Sequence, residues 1–432
     1  MSITRHLSEF AAETQTSRIP ASALRMMQLS FLDWAAVGIA GRDEPVSRIT
    51  RDMVLDEGGH PRAGLIGHDA RVPPRAAALS NGTTSHALDY DDTHFAHIGH
   101  PSVAVIPAAL AVAEDLGADG AALQTAALIG VEASIRIGVW LGRSHYQTGF
   151  HQTATAGAFG AGLAAARLMG LDAQGCAMVL GLLATRASGL KSQFGTMGKP
   201  FNAGLAAANG VEAASLVARG FVANAEALES AQGFGPTHAG EKISSGLEGI
   251  GQEWLFESIS HKFHACCHGL HAVLEAGLSL APLDAGTIAR IEVTTHPRWM
   301  TVCNQIAPMT GLGAKFSYGT VLAMQVLGHD TAVLDSYSDA VCADPAVQAL
   351  RARVHVTADD SVAETATRLR VVLHDGTAHE ATHDLNAPMT LEARQSKIQT
   401  KARSLLGDQR ADAIWSLIAA QADAATFAAT LK

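Results

Sequence analysis

Residues 153–169 read TATAGAFGAGLAAARLM, a run with glycine or alanine every few positions and no proline. Small side chains three and four residues apart share one face of a helix and let another helix backbone come close. The run predicts a helix inside a densely packed helical core. The same texture continues on both sides. Leu24, Met27, Phe31, Trp34 and Ile39 recur at helical spacing behind Pro20. Residues 102–116 (SVAVIPAALAVAEDL) and 120–140 (GAALQTAALIGVEASIRIGVW) predict two more helices, as do 173–187 and 203–220. Asp33 falls inside the first of these stripes and reads as a hydrogen-bonded interior carboxylate.

The pattern changes near residue 257. Residues 289–296 (ARIEVTTH), 352–357 (ARVHVT) and 367–374 (TRLRVVLH) alternate with period two, which predicts strands of a half-exposed antiparallel sheet. Asp375-Gly376 then forms a strong hairpin signal. Helices are predicted at 268–280 and 316–328, and helical spacing returns at Leu391, Ile398, Ala402 and Leu405. The fold class that follows is mainly α with an α+β insert. A helical domain at 1–257 and 393–432 is interrupted by a smaller α+β lid at 258–392.

The chain has 432 residues, 48% of them apolar and 17% charged, a globular composition that excludes intrinsic disorder. Lysines and arginines number 31 against 41 acidic residues, a net charge of −10 with no basic run, so no nucleic-acid partner is expected. The apolar stretches are interrupted by Asp33, Pro107 and Arg167, and no membrane span is expected. Five cysteines are too few and too odd in number for a disulfide scaffold, which points to a reducing cytoplasm.

The chemistry is concentrated in four blocks. Residues 84–102 (TSHALDYDDTHFAHIGHPS) hold His86, Asp89, Asp91, Asp92, His94, His97 and His100. A solvated polar loop is the plain alternative. Residues 145–153 (HYQTGFHQT) hold Tyr146 and His151 just before the glycine-rich helix, whose N-terminal dipole favours a neutral imidazole. Residues 188–202 (SGLKSQFGTMGKPFN) carry Lys191 and Lys199 among glycines. This stretch superficially resembles a phosphate loop, but the spacing is wrong and Pro200 stands where Ser or Thr should be. Residues 261–271 (HKFHACCHGLH) carry Lys262, Cys266, Cys267, His268 and His271. His94, His97 and His100, or Cys266, Cys267, His268 and His271, could supply zinc to a hydrolase, yet neither run has an established zinc spacing. No dinucleotide fingerprint and no nucleophile elbow are present. Acids, histidines and lysines without a cofactor motif suit removal of a proton beside a carboxylate. The accessible reactions are then β-elimination of water, decarboxylation and epimerisation.

Residues 80–107 (SNGTTSHALDYDDTHFAHIGHPSVAVIP), 149–170, 186–221 and 262–275 (KFHACCHGLHAVLE) resemble, in the same order, the signature blocks of the MmgE/PrpD family. That family includes 2-methylcitrate dehydratase, cis-aconitate decarboxylase and iminodisuccinate epimerase. The resemblance implies an all-helical domain with an α+β lid and an active site between them. It further implies a homodimer, no metal or other cofactor, and a small polycarboxylate substrate. By position, the family's active-site aspartate resembles Asp89, its threonine Thr93, its two histidines His100 and His151, and its two lysines Lys199 and Lys262. Tyr146 stands where the epimerase branch has a proton-transfer tyrosine. Lys191, Cys267 and Tyr318 complete the expected substrate contacts. The chain departs from the decarboxylase branch at Cys267, where that branch has histidine, and at Thr320, where it has tyrosine. Many members have histidine at the position of Asn202. A dehydratase is the first expectation, with an epimerase or a decarboxylase as alternatives. One of His151 and Tyr146 is expected to move the proton, while Lys199 and Lys262 hold carboxylates.

Overall fold

The computed structural model describes residues 2–432. The chain divides into two compact units, residues up to 261 together with 394–432, and residues 262–393.

The first unit is built on helices Ala21–Ala40, Pro74–His86, Ser102–Leu116, Gly120–Thr148, Gln152–Leu168 and Gly198–Val217. Their close packing needs glycine at a few crossings. A Cβ at Gly160 would lie 2.3 Å from the Gly130 carbonyl oxygen, and one at Gly204 would lie 2.3 Å from that of Leu79. Alanine at either position would force backbones apart, so the small residues of 153–169 are spent on helix contact. The helix Gly120–Thr148 is long and apolar enough to cross a membrane, but 94% of its most apolar window is buried within the protein. It bends at Gly142, where φ is +74°.

Two buried ion pairs tie remote segments to this bundle. Arg136 Nε lies 2.6 Å from Glu132, and its remaining donors reach the carbonyls of Gly246, Glu248 and Glu253. Glu132 in turn accepts from the backbone of Leu255 and Phe256. Both side chains therefore hold the irregular 246–256 segment onto the long helix. The second pair answers the sequence reading of Asp33. Its partner is Lys401, on the helix Leu391–Leu406 near the end of the chain, at 2.6 Å, with 3% and 1% of the two side chains exposed. The same ammonium donates to the Tyr90 carbonyl at 2.7 Å and lies 3.9 Å above the Tyr90 ring.

A short hairpin not anticipated from periodicity also belongs to this unit. Strands β1 (Ala63–Leu65) and β2 (His68–Val72) pair antiparallel around Gly67 at φ +71°. Three residues are too few to show alternation, which is why the sequence pattern misses β1.

In the second unit, β3 (Ile288–Thr295), β4 (Val354–Ala358), β5 (Ala366–Leu373) and β6 (Ala378–Asp384) form one sheet in the order β4-β3-β5-β6. The β5–β6 hairpin turns at Asp375-Gly376, with Gly376 at φ +91°. The sheet is mixed, which corrects the antiparallel expectation, because β3 and β4 pair in parallel. The segment between them runs through several short helices, and a crossover of that length is what a parallel pair requires. Alternation reports which face is buried and carries no information about strand direction. The helix His271–Leu280 covers β5 and β6.

Candidate active site

The helix Pro74–His86 presents His86 at its last turn, and the chain then runs through a loop to Pro101 before the helix Ser102–Leu116 begins. Asp89 sits in this loop at φ +52° and Ile98 at φ +56°, conformations that non-glycine residues adopt rarely. Backbone pairing of Thr93 with Ser260 anchors the loop from one side. His94 Nε2–H donates to the Leu255 carbonyl at 2.9 Å, and His97 Nε2 contacts Ser134 Oγ at 3.1 Å. Burial lowers His94 to about 4 and His97 to about 3, so both stay neutral. The spacing that looked like a zinc run is therefore a loop scaffold, and of its three histidines His100 is the one that meets the acids.

His100 and His86 converge on Asp91. His100 Nδ1 lies 2.9 Å from one carboxylate oxygen, His86 Nδ1 lies 2.9 and 3.0 Å from the pair, and the two rings are 4.6 Å apart. Burial alone would raise Asp91, but the two imidazoles override it and hold its carboxyl well below the usual range. Burial likewise lowers His100 to about 4, against the pull of Asp91. Burial keeps His100 neutral near neutral pH, and the Asp91 carboxylate then lies between the Nδ1 atoms of the two rings, with the His100 proton on the side facing it. This bonding leaves Nε2 of His100 with a lone pair. That atom is 3.5 Å from Asp89, whose other neighbour is the Lys199 ammonium at 2.8 Å.

The second imidazole comes from elsewhere. Residues 149–151 run beside 189–191, joined by the Phe150–Leu190 bridge and by bonds from His151 N to the Gly189 carbonyl and from Lys191 N to the Gly149 carbonyl. This pairing brings two of the four sequence blocks together. His151 then sits at the start of the helix Gln152–Leu168, where its side chain makes no capping bond. Instead its ring stacks 6.2 Å from that of His86 and edge-on to Phe194 at 5.0 Å. Burial lowers His151 well below its ordinary value, and the Lys199 charge adds to this. Asn202 Nδ2 donates to His151 Nδ1 at 3.3 Å, which places the ring proton on Nε2. The site thus holds two neutral imidazoles in opposite tautomers, one with a basic Nε2 and one with an Nε2–H.

Other expected residues are placed as follows. Tyr146 lies in the last turn of the helix Gly120–Thr148, not in a loop with His151, because the helix extends past residue 140. Lys191 Nζ covers its ring at 3.8 Å and donates to its carbonyl at 3.0 Å. Lys262, Cys267 and Tyr318 belong to the second unit. Lys262 is 2% exposed, and Cys267 Sγ lies 3.1 Å from Cys303 Sγ. Tyr318 is fully buried, with its hydroxyl donating to the Gly269 carbonyl at 2.9 Å and 3.0 Å from Thr295 Oγ1. His271 Nε2–H donates to the Cys266 carbonyl at 3.4 Å, and His264 Nδ1 meets Thr331 Oγ1 at 2.7 Å.

Among the described residues, His86, Asp89, Asp91 and His100 bring donor atoms within 4.8 Å of one another, close enough to hold a metal. These donors are already engaged: Lys199 lies against Asp89, and Asp91 serves two rings. A protein cation thus occupies the place of a metal charge.

Behind the site, Asp92 is 1% exposed and accepts from Ser102 Oγ at 2.5 Å. Burial raises its carboxyl to about 7; the Ser102 bond opposes this, and the charges of Asp33 and Asp91 add to it. The folded pKa exceeds the unfolded one, so this stabilising contribution is full below about pH 4 and is lost as pH rises through 7. Asp92→Asn is expected to remove up to about 1.4 kcal/mol per pH unit from the slope of stability between those limits. Urea unfolding across that range measures it; an unchanged slope would count against a protonated Asp92.

His86 and Asp91 lie within the block 84–102 and Asn202 is a departure from the family, but the sequence assigns none of the three a role in the site. His86 and Asp91 are five residues apart across a helix end, a spacing with no pattern of its own.

Residues 5–245 match the MmgE/PrpD N-terminal domain, and residues 264–423 match the MmgE/PrpD C-terminal domain. A cis-aconitate decarboxylase of Aspergillus terreus is 26% identical over 96% of this chain and 92% of its own length. A cis-aconitate decarboxylase-like protein of Aspergillus oryzae is 29% identical over 63% of this chain, and the match spans 60% of that protein. The human cis-aconitate decarboxylase is 33% identical over 40% of this chain and 36% of its own length. With both domains matched in order along nearly its whole length, the chain belongs to the MmgE/PrpD family.

Proposed function

We propose that this enzyme is a cofactor-independent lyase that moves a proton beside a carboxylate of a small di- or tricarboxylate, with elimination of water as its reaction. The observation that carries this reading is the pair of neutral imidazoles in opposite tautomers. His100 Nε2, oriented through Asp91, takes the proton from the carbon next to the carboxylate. Asp89, 3.5 Å away, stabilises the imidazolium that forms. His151 Nε2–H hydrogen-bonds the departing hydroxyl, which leaves as water with the proton that His100 has taken. Lys199 binds a carboxylate and offsets the charge that develops on it. Lys262 is the second carboxylate holder, Thr93, Lys191, Cys267 and Tyr318 are further substrate contacts, and His151, in preference to Tyr146, meets the departing hydroxyl.

Elimination needs both a base and an acid, whereas decarboxylation of an unsaturated acid needs a proton donor alone. Decarboxylation is the second reading, and the names of the relatives favour it. Proton NMR in heavy water on hydroxy- and unsaturated tricarboxylates separates the two. Loss of water from a hydroxytricarboxylate with deuterium entering beside the carboxylate supports elimination. Carbon dioxide release from cis-aconitate without exchange in the hydroxy acids replaces it with decarboxylation. No turnover and no exchange across the panel overturns both. In the same assay Lys199→Ala is expected to raise KM about tenfold to a hundredfold, the value of a charge-assisted hydrogen bond, and to change kcat little. A fall in kcat alone would remove Lys199 from the binding role.

A further inference from the structure

We propose that Cys267 and Cys303 form a reversible thiol–disulfide pair in the second unit, closed by peroxide and reopened by a dithiol. The two sulfurs lie 3.1 Å apart, and none of the five cysteines is in a disulfide. A disulfide needs about 2.05 Å between sulfurs, so the pair has to close by only about 1 Å. The approach is built into the packing. Cys267 caps the short turn His268–Leu270, and Cys303 ends the helix Pro297–Val302. Gly269 lies between them, and a Cβ there would stand 2.8 Å from Cys303 Sγ and 2.4 Å from the Trp299 ring. Any other residue would push the turn away from the helix and separate the sulfurs.

The two thiols are unequal, as an attacking and a resolving thiol must be. Cys267 is half-buried, whereas Cys303 is fully buried. Burial, together with the Cys267 sulfur, raises Cys303 well above an ordinary thiol, so it keeps its proton until a partner arrives. The positive charge of Lys262 opposes this at Cys303 without outweighing burial. Cys266 is an unsuitable partner despite being adjacent in sequence. It is 3% exposed, and burial raises its thiol to about 12, with a Tyr337 bond opposing.

The chemistry balances with hydrogen peroxide as the oxidant. The Cys267 sulfur attacks one peroxide oxygen, the O–O bond breaks, and sulfenic acid and water result. The Cys303 sulfur then attacks the Cys267 sulfur, the S–O bond breaks, and the hydroxyl leaves as a second water with the Cys303 proton. Two electrons pass from the two sulfurs to one peroxide. A dithiol such as dithiothreitol reverses the change.

Mass spectrometry of the full-length protein treated with peroxide tests this without reference to any substrate. The wild type is expected to lose two free thiols and two hydrogens, and digestion is expected to yield the Cys267 and Cys303 peptides joined. Cys303→Ala, which keeps Cys267, is expected to stop at a sulfenic acid on Cys267 that dimedone captures. Cys342→Ala is expected to behave as wild type. Five free thiols after treatment, a cross-link through any other pair, or a wild-type Cys267 that dimedone labels as fully as in Cys303→Ala would each overturn the proposal. Loss of activity on oxidation rests on the proposed role of Cys267 toward substrate, and is read separately from the thiol count.

Discussion

His151→Ala is expected to lower the rate of water elimination by about 10²- to 10³-fold, the range for removing a positioned hydrogen-bond donor. Substrate binding should change little, because the imidazole is neutral and the carboxylate-binding charges remain. The main alternative is that His151 only supports the start of its helix. The imidazole makes no capping bond, and its neighbours are Asn202, Phe194 and the other imidazoles. Truncation therefore removes a hydrogen-bond donor while the helix start keeps its backbone bonds, such as Thr155 N to the His151 carbonyl at 3.0 Å. The pH profile gives a second check. Burial holds His151 and His100 below the ordinary imidazole value, so the wild-type rate is expected to persist well below about pH 6.5 before protonation of the base ends it. Elimination at the wild-type rate in His151→Ala, alongside a lowered melting temperature, would reassign His151 to structure.

Lys401→Met is expected to destabilise the protein by about 3–5 kcal/mol, the cost of removing one partner from a buried ion pair. Asp33 would keep its charge at 1% exposure without the ammonium that lies 2.6 Å away. The double variant Lys401→Met with Asp33→Leu is expected to recover most of the loss, because replacing both members by apolar groups removes the uncompensated charge. Urea denaturation of the three proteins measures this. A Lys401→Met midpoint within about 0.5 kcal/mol of wild type, the range of an ordinary surface change, would show that the pair carries no stability. The change also reaches the site. Lys401 donates to the Tyr90 carbonyl, and Tyr90 stands between Asp89, which touches Lys199, and Asp91, which orients two imidazoles.

Which of these features could be read from the sequence follows from what each one depends on. The helical core was legible because the glycines and alanines of 153–169 are a direct record of how near two backbones lie. The two units were legible from the change of hydrophobic period, which local burial imposes on every residue. Strand direction was hidden, since β3 looks the same beside a parallel or an antiparallel neighbour. The histidines of 84–102 announced a site by number alone, yet His94 and His97 hold the loop and His100 faces the acids. Spacing could not sort them, because the sorting is done by Leu255 and Ser134, remote in sequence and unremarkable in type. Lys401 left no trace at all. Within QTKARS it resembles any solvated lysine of a surface helix, and only the arrival of Asp33 from the far end of the chain gives it meaning.

That arrival has a consequence for how the molecule is made. Every residue of the candidate site in the first unit has been translated once position 202 is reached, but the ammonium that steadies Tyr90 follows some two hundred residues later, after the whole second unit. The nascent chain therefore carries the histidines of 86–151 through most of synthesis beside an Asp33 that has yet to meet this ammonium. Closing the Asp33–Lys401 pair therefore waits until translation has passed the second unit. A message truncated between the two units would leave a buried carboxylate without that counter-charge, a product marked for the cell's proteases by its own instability.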